Sequence, residues 1–388
     1  MTPKEPPDLT LEVESLARSL AETYEELNFT YRLNATMNLT ANPEEYVRNL
    51  AEDLLDLIGV KAIVVVLSSE AIRTDKKDTT IIHAGQLSGT PEELVRLVNA
   101  ELAGKEPLNS RKSQFIRPDG VTQTLVVPIV CANRQFGTII ALEPIEDRIF
   151  SNIDLTRLSS VTNSVAMFLE NFRLYAGMQD LFLGSLRALT SSIDAKDPYT
   201  CGHSERVAIF GKKIVLAMDK PQAEADRVYL CGLLHDIGKI GMPEAVLGKP
   251  GKPTPEEFEI IKRHPVMGAK IIEGIREMED LVPGVLHHHE RFDGKGYPQG
   301  LAGKQIPFRA RVLCVADALD AMTSSRPYRS AMPVEMAIQE IIKGKGTHFD
   351  PAVVESLMKL NIKQMIHESR EIKGGRVSDT IFVEAVTP

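Results

Sequence analysis

Six of the nine histidines in the 388-residue chain, His203, His235, His264, His287, His288 and His289, fall between positions 203 and 289. Asp236 follows His235 directly, Glu290 follows the His288-His289 pair, and Asp317 stands in an apolar stretch downstream. A single histidine in such a place is ordinarily a satisfied polar residue or a solvated helix end. Two tandem arrangements and an acid in an apolar run are costly to bury together unless something binds them. Imidazoles and carboxylates without thiolates form a mixed nitrogen and oxygen donor set, which suits Fe, Mn or Zn at more than one position. An aspartate can bridge two such cations about 3.5–4 Å apart, the arrangement that activates water for in-line attack on phosphorus. Phosphodiester hydrolysis is the reaction class that follows; a carboxylate protease or glycosidase would need far fewer histidines.

Periodicity indicates the elements that must hold these groups. Val228, Cys231 and Leu234 mark one face of a helix over 223–234, and Gly238 reads as its stop, just past His235-Asp236. Thr254-Pro255-Glu256-Glu257 reads as a capping box opening a helix that runs to His264, where Pro265 interrupts it. Asp317 falls in a helical stretch over 310–322. Upstream, Leu158, Val161, Val165, Phe168, Phe172 and Tyr175 alternate three and four residues apart. The same phase returns at Phe182, Leu186, Leu189 and Ile193. This heptad spacing fits either a helix packed on its own domain or a parallel coiled coil joining two protomers; its length between two domains favours the dimer.

Earlier still, the pattern predicts a helix from Pro43 to Ile58 capped by Asn42, a second helix from Pro91 to Leu102, and strands over 62–67, 79–83, 124–130 and 136–142. Asn133 and Gly137 read as turn residues between the last two strands, and the whole as an α/β module with an antiparallel sheet. Leu11, Leu16, Leu20, Tyr24 and Leu27 predict a leader helix. The expected organisation is therefore an α+β multidomain chain. It comprises a leader helix (1–29), a sensory α/β domain (30–153), a linker helix (154–193), an all-α bundle (194–365) and a tail (366–388).

The balance of 45 Lys and Arg against 53 Asp and Glu, a net charge of −8, argues against binding duplex DNA or an anionic membrane by bulk charge. A local basic pocket stays open. Cys131, Cys201, Cys231 and Cys314 lack CxxC spacing, so no disulfide framework or thiolate zinc site is expected, and a reducing cytoplasm is. No run reaches 18 apolar residues, so no membrane span is expected.

The order helix, strand pair, helix, strand pair resembles a GAF domain over roughly residues 30–172, which implies a small-molecule-sensing or dimerising role without naming a ligand. His83 is a conceivable haem or metal ligand there, although a lone histidine at a strand end is more often a surface or core residue. Residues 185–362 resemble the HD-GYP domain, a subgroup of the HD phosphohydrolases. The resemblance is carried by Asp197-Pro198-Tyr199-Thr200 with Gly202-His203-Ser204, by Leu234-His235-Asp236-Ile237-Gly238-Lys239, by His264-Pro265, and by His288-His289-Glu290-Arg291-Phe292-Asp293-Gly294-Lys295-Gly296-Tyr297-Pro298. Ala316-Asp317, Asp320-Ala321, Ser325-Arg326-Pro327-Tyr328-Arg329 and Phe349-Asp350-Pro351 extend it.

This resemblance implies hydrolysis of cyclic di-GMP to pGpG, and in many members on to GMP, by two divalent cations, Fe or Mn first. It implies metal ligands at His203, His235, Asp236, His264, His288, His289 and Asp317, with Asp236 as the bridge and Lys239 assisting at the scissile phosphate. Substrate contacts would come from Asp197, Lys239, Tyr297, Arg326 and Arg329. Some members bind a third cation with a glutamate at the position of Tyr199, where Asp197 and Asp194 are the nearest carboxylates here, so a two-ion site is expected. His287 falls outside the implied ligand set. The Gly296-Tyr297-Pro298 loop shapes the active-site rim or forms a contact surface for diguanylate cyclase (GGDEF) domains. The rival readings are an HD-type hydrolase of cyclic GMP-AMP, guanosine tetraphosphate or a deoxynucleotide, a non-catalytic cyclic di-GMP receptor, and a scaffold.

Overall fold

The computed structural model describes residues 42–72, 79–87, 89–102, 114–116, 123–145, 148–196, 202–249, 251–325 and 330–371. The expected leader helix, Asp197, Tyr199, Arg326, Arg329 and the tail beyond 371 lie outside these residues. The chain divides into two units, residues 1–179 and 180–388, and the division falls inside one long helix.

In the first unit, α1 (Pro43–Ile58) is fixed at both ends by local chemistry. Asn42 accepts a hydrogen bond from the Glu44 N–H at 3.0 Å, Pro43 opens the helix, and Gly59, at φ 65°, returns its N–H to Leu55 O at 2.9 Å. Five strands follow: β1 (Val60–Leu67), β2 (Thr80–Gly85), β3 (Gln114–Ile116), β4 (Thr124–Cys131) and β5 (Arg134–Pro144). Two helices, α2 (Ser69–Ile72) and α3 (Pro91–Leu102), interrupt the series. The sheet order is β2-β1-β5-β4-β3, every pair antiparallel. One face packs Ile63, Val65, Leu125, Val127 and Ile139 against α1 and against Leu158, Val161, Val165 and Phe168; the other packs Val64, Val66, Val126 and Ile140 against Leu94 and Val98 of α3. Coverage of both faces explains why β1 is apolar without alternation from Ala62 to Leu67, its exposed Lys61 lying near the start of the strand. The short strand β3 was not expected from the pattern. Gly137 is not a turn residue but lies within β5, where a Cβ would meet Val66 O at 2.0 Å, so its role is close backbone approach. His83 is exposed on β2.

The long helix α4 (Asn152–Lys196) starts at a capping box: Ser151 N–H donates to Asp154 Oδ2 at 2.7 Å and Asp154 N–H to Ser151 Oγ at 3.3 Å. Its heptad stripe divides. Leu158, Val161, Val165 and Phe168 are buried in the first unit's own core, and Leu186 and Ile193, with Leu183, in the second unit's. Phe182 and Leu189 are exposed instead. The predicted seam is thus largely occupied within the chain, and a different set of residues, Met167, Leu174, Met178 and Leu181, is exposed on the same helix.

The second unit is helical: α5 (His203–Leu216), α6 (Gln222–Leu234), α7 (Glu244–Leu247), α8 (Pro255–Ile261), α9 (His264–Glu273), α10 (Val282–His287), α11 (Phe308–Thr323), α12 (Val334–Lys343), α13 (Pro351–Leu357) and α14 (Ile362–Glu371). The capping box at Thr254 and Glu257 forms as expected. The helix it opens stops at Ile261, however, and Pro265 lies in the first turn of α9 rather than interrupting α8; a first-turn position has no partner for the N–H that proline lacks. Val207, Phe210 and Ile214 of α5, Val228, Cys231 and Leu234 of α6, and Val312, Leu313 and Leu319 of α11 share one core. Gly232 permits α5 and α6 to approach so closely that a Cβ there would lie 2.6 Å from Ala208 Cα.

Candidate metal centre

Helix ends deliver the histidines. His203 is the first residue of α5, His235 caps the end of α6 with Asp236 beside it, His264 is the first residue of α9, and His288-His289 follow α10. Three of them are oriented alike. The Nδ1–H of His235 donates to Gly232 O, that of His264 to Ile261 O and that of His288 to Val285 O, each at 2.7 Å and each to the carbonyl three residues earlier. A carbonyl can only accept, so each neutral ring carries its proton on Nδ1 and presents an Nε2 lone pair. The His264 and His288 Nε2 atoms face one another at 3.3 Å, and the His235 Nε2 is buried without a hydrogen-bond partner.

Asp236 lies between these groups. Its Oδ1 is 3.2 Å from His264 Nε2, and its Oδ2 is 3.4 Å from His235 Nε2, 3.8 Å from His203 Nε2 and 2.6 Å from Lys239 Nζ. Among the described residues, two donor groups have their ligand atoms within 4.8 Å of one another: Asp236, His264, His288 and His289, and His203, His235 and Asp236. They share only Asp236, one carboxylate reaching two positions. Asp317, from α11, adds an oxygen 3.3 Å from His203 Nε2. Opposed lone pairs, a buried nitrogen without a partner and a shared carboxylate fit divalent cations bound by nitrogen and oxygen.

The electrostatics agree for the His288-His289 pair. Burial, helped by the neighbouring imidazoles, holds His288 well below its ordinary pKa and pushes His289 down to about 3, so both rings stay neutral acceptors at neutral pH. Burial would also lower His203, but hydrogen bonds to Asp317 and Asp320 reverse this and raise it to about 10. Asp236 and Asp317 are held low, against a burial penalty, by the Lys239 charge and His235 for Asp236 and by His203 for Asp317.

Residues 187–353 match the HD domain family. This part of the chain is an HD domain. Over 184 residues the chain is 39% identical to a cyclic di-GMP phosphodiesterase of Thermotoga maritima, covering 47% of this chain and 50% of that protein. It is 44% identical over 177 residues to a cyclic di-GMP phosphodiesterase of Pseudomonas aeruginosa, covering 44% and 42%. It is also 38% identical over 169 residues to the 3′3′-cGAMP-specific phosphodiesterase 3 of Vibrio cholerae, covering 43% and 36%. The chain spans half or less of the length of each of these relatives.

The HD domain brings together all seven residues anticipated as ligands, with Lys239 at 2.6 Å from Asp236. The Tyr297 ring lies 4.8 Å from that of His289. His287, outside the expected set, is buried with its Nδ1 3.6 Å from Glu290 Oε1. Glu290 accepts from the N–H groups of Gln299 and Leu301 at 2.8 and 3.1 Å, and so pins the loop that carries Tyr297.

Sequence motifs alone assigned Asp320 no role. Its Oδ2 accepts the His203 Nδ1–H at 2.7 Å, and Arg206 Nε donates to its Oδ1 at 2.5 Å. The signal was available: Asp320 is one helical turn beyond Asp317, and Arg206 one turn beyond His203. Such a carboxylate orients the imidazole and raises its basicity. Asp320→Asn is expected to weaken cation binding at His203 by about 10–100-fold, measured as the midpoint of a Mn²⁺ titration of metal-free protein; an unchanged midpoint would show that His203 does not depend on this partner.

Proposed function

We propose that this chain is a metal-dependent phosphodiesterase of cyclic dinucleotides, acting on cyclic di-GMP to give pGpG or GMP. The observation that carries the reading is the opposition of the His264 and His288 Nε2 lone pairs at 3.3 Å beside the shared carboxylate of Asp236. With His288 held well below its ordinary pKa, a proton is a poor occupant of that position and a cation a good one. His203, His235, Asp236 and Asp317 would hold one ion, and Asp236, His264, His288 and His289 the other, with iron or manganese the first candidates. When bound, two such cations supply Lewis acidity and an activated water for attack at phosphorus.

The protein's own groups have separable tasks. Asp236 would contribute a carboxylate oxygen to each position. Lys239 keeps an ammonium beside Asp236, where it would neutralise charge developing on the scissile phosphate. Tyr297 walls the centre beside His289. Arg326 and Arg329 would grip phosphate oxygens through planar guanidinium groups, and Asp197 would act from the outer shell.

The relative named for cyclic GMP-AMP supports a second substrate reading, because a few base contacts separate the two rings. The first unit's five-stranded antiparallel sheet with helices on both faces supports a GAF-like sensor. The exposed Met167, Leu174, Met178 and Leu181 support a homodimer through α4, and the loop around Tyr297 is the proposed contact for GGDEF domains. To test the activity, protein prepared anaerobically is analysed for metal content and incubated with cyclic di-GMP and with 3′3′-cyclic GMP-AMP. We expect iron or manganese with the purified chain and linear or mononucleotide product from cyclic di-GMP. Fully loaded protein that leaves both rings uncut would overturn the proposal.

A further inference from the structure

The last turns of α4 meet α5 at the two residues that directly follow His203. Ser204 Oγ donates to Asp194 Oδ1 at 3.3 Å. Glu205 Oε2 lies 3.4 Å from Arg187 Nε, while Arg187 Nη2 donates to the Tyr229 hydroxyl at 2.8 Å and that hydroxyl in turn donates to Glu205. Leu186, Thr190, Ile193 and Asp194 are all buried, so this end of α4 is embedded rather than resting on the surface. Gly202, the residue before α5, has φ 68° and contributes no side-chain cap. The first turn of α5, with His203 at its head, is therefore held laterally from α4.

We propose that Arg187 and Asp194 are positioning residues for the cation position built on His203, His235 and Asp236. The inference rests on the two-cation reading above and deepens it. Hydrogen-bonded partners of a ligand-bearing turn set where the ligand atom sits, and displacement by a fraction of an ångström weakens coordination. The other position draws His264, His288 and His289 from α9 and from the segment after α10, each ring but His289 fixed by its own i−3 carbonyl. Loosening the α4 contact should therefore weaken one ion and spare the other.

The test uses the full chain as wild type and as Arg187→Ala, Arg187→Lys and Asp194→Ala, each stripped of metal and titrated with Mn²⁺. Bound metal is counted by elemental analysis, and folding is checked by thermal melting. The expected result is one ion bound as in wild type and a second weakened about 10–100-fold in Arg187→Ala and Asp194→Ala, with Arg187→Lys recovering part of the loss. Two ions bound with wild-type affinity in both variants would overturn the inference. So would parallel loss of both ions, which marks general loosening of the fold. Should Asp194→Ala fail to fold, Arg187→Ala decides alone. Wild-type protein that takes up no Mn²⁺ would remove the two-cation reading, and the inference with it; wild type binding two ions with unaltered variants would sink the inference only.

Discussion

Asp236→Ala is expected to abolish turnover of cyclic di-GMP and to lower metal content. Among the described residues, Asp236 alone is common to both donor groups, with one oxygen 3.2 Å from His264 and the other 2.6 Å from Lys239. Its removal takes a ligand from both positions at once and deletes the charge beside Lys239. A polarising cation is worth several kcal/mol in the transition state, so a loss on the order of 10³-fold or more in kcat is expected. Asp236→Asn keeps the shape but loses the charge; it should retain the fold and still lose activity. Steady-state product formation with parallel elemental analysis checks both variants. Activity within tenfold of wild type in Asp236→Ala would place the chemistry elsewhere.

Gly238→Ala is expected to damage the same centre through the backbone. A Cβ at Gly238 would meet His264 O at 1.9 Å and Gly268 N at 2.5 Å, both main-chain atoms of α9 that cannot rotate aside. Overpacking of this kind costs about 1–3 kcal/mol and occasionally more. Here the relief would come from separating the His235-Asp236 turn from α9, which would pull Asp236 away from His264. The variant should melt several degrees below wild type and bind Mn²⁺ weakly even at low temperature, as calorimetry and titration would report. Wild-type melting and metal uptake together would show that α9 can shift without consequence.

These two residues show what could be read from the chain alone. Asp236 was legible because a tandem His-Asp at the end of an apolar helix is costly to bury unless a cation binds there. Gly238 was legible as a necessary glycine but on different grounds: it does not end a helix in a left-handed conformation, and the close approach of α9 that demands it is a tertiary fact invisible to local pattern. α1 and α3 were legible to the residue because proline and apolar period agreed there, with an asparagine cap at α1 as well. The heptad stripe of α4 was legible as a helix, but periodicity does not say what covers it, and its apolar residues are largely taken up by the chain's own two cores. Asp320 and Arg206 each stand one turn from an expected ligand, but they pair with one another across 114 positions, and Arg187 reaches Tyr229 across 42, so no short motif names these partners.

The bonds from His235, His264 and His288 to carbonyls three residues earlier have a practical outcome for assembly. Each ring's tautomer is set within a single turn of its own chain segment. Stripping the ions with a chelator should then leave these imidazoles already facing inward, and refilling needs no proton to migrate from one ring nitrogen to the other.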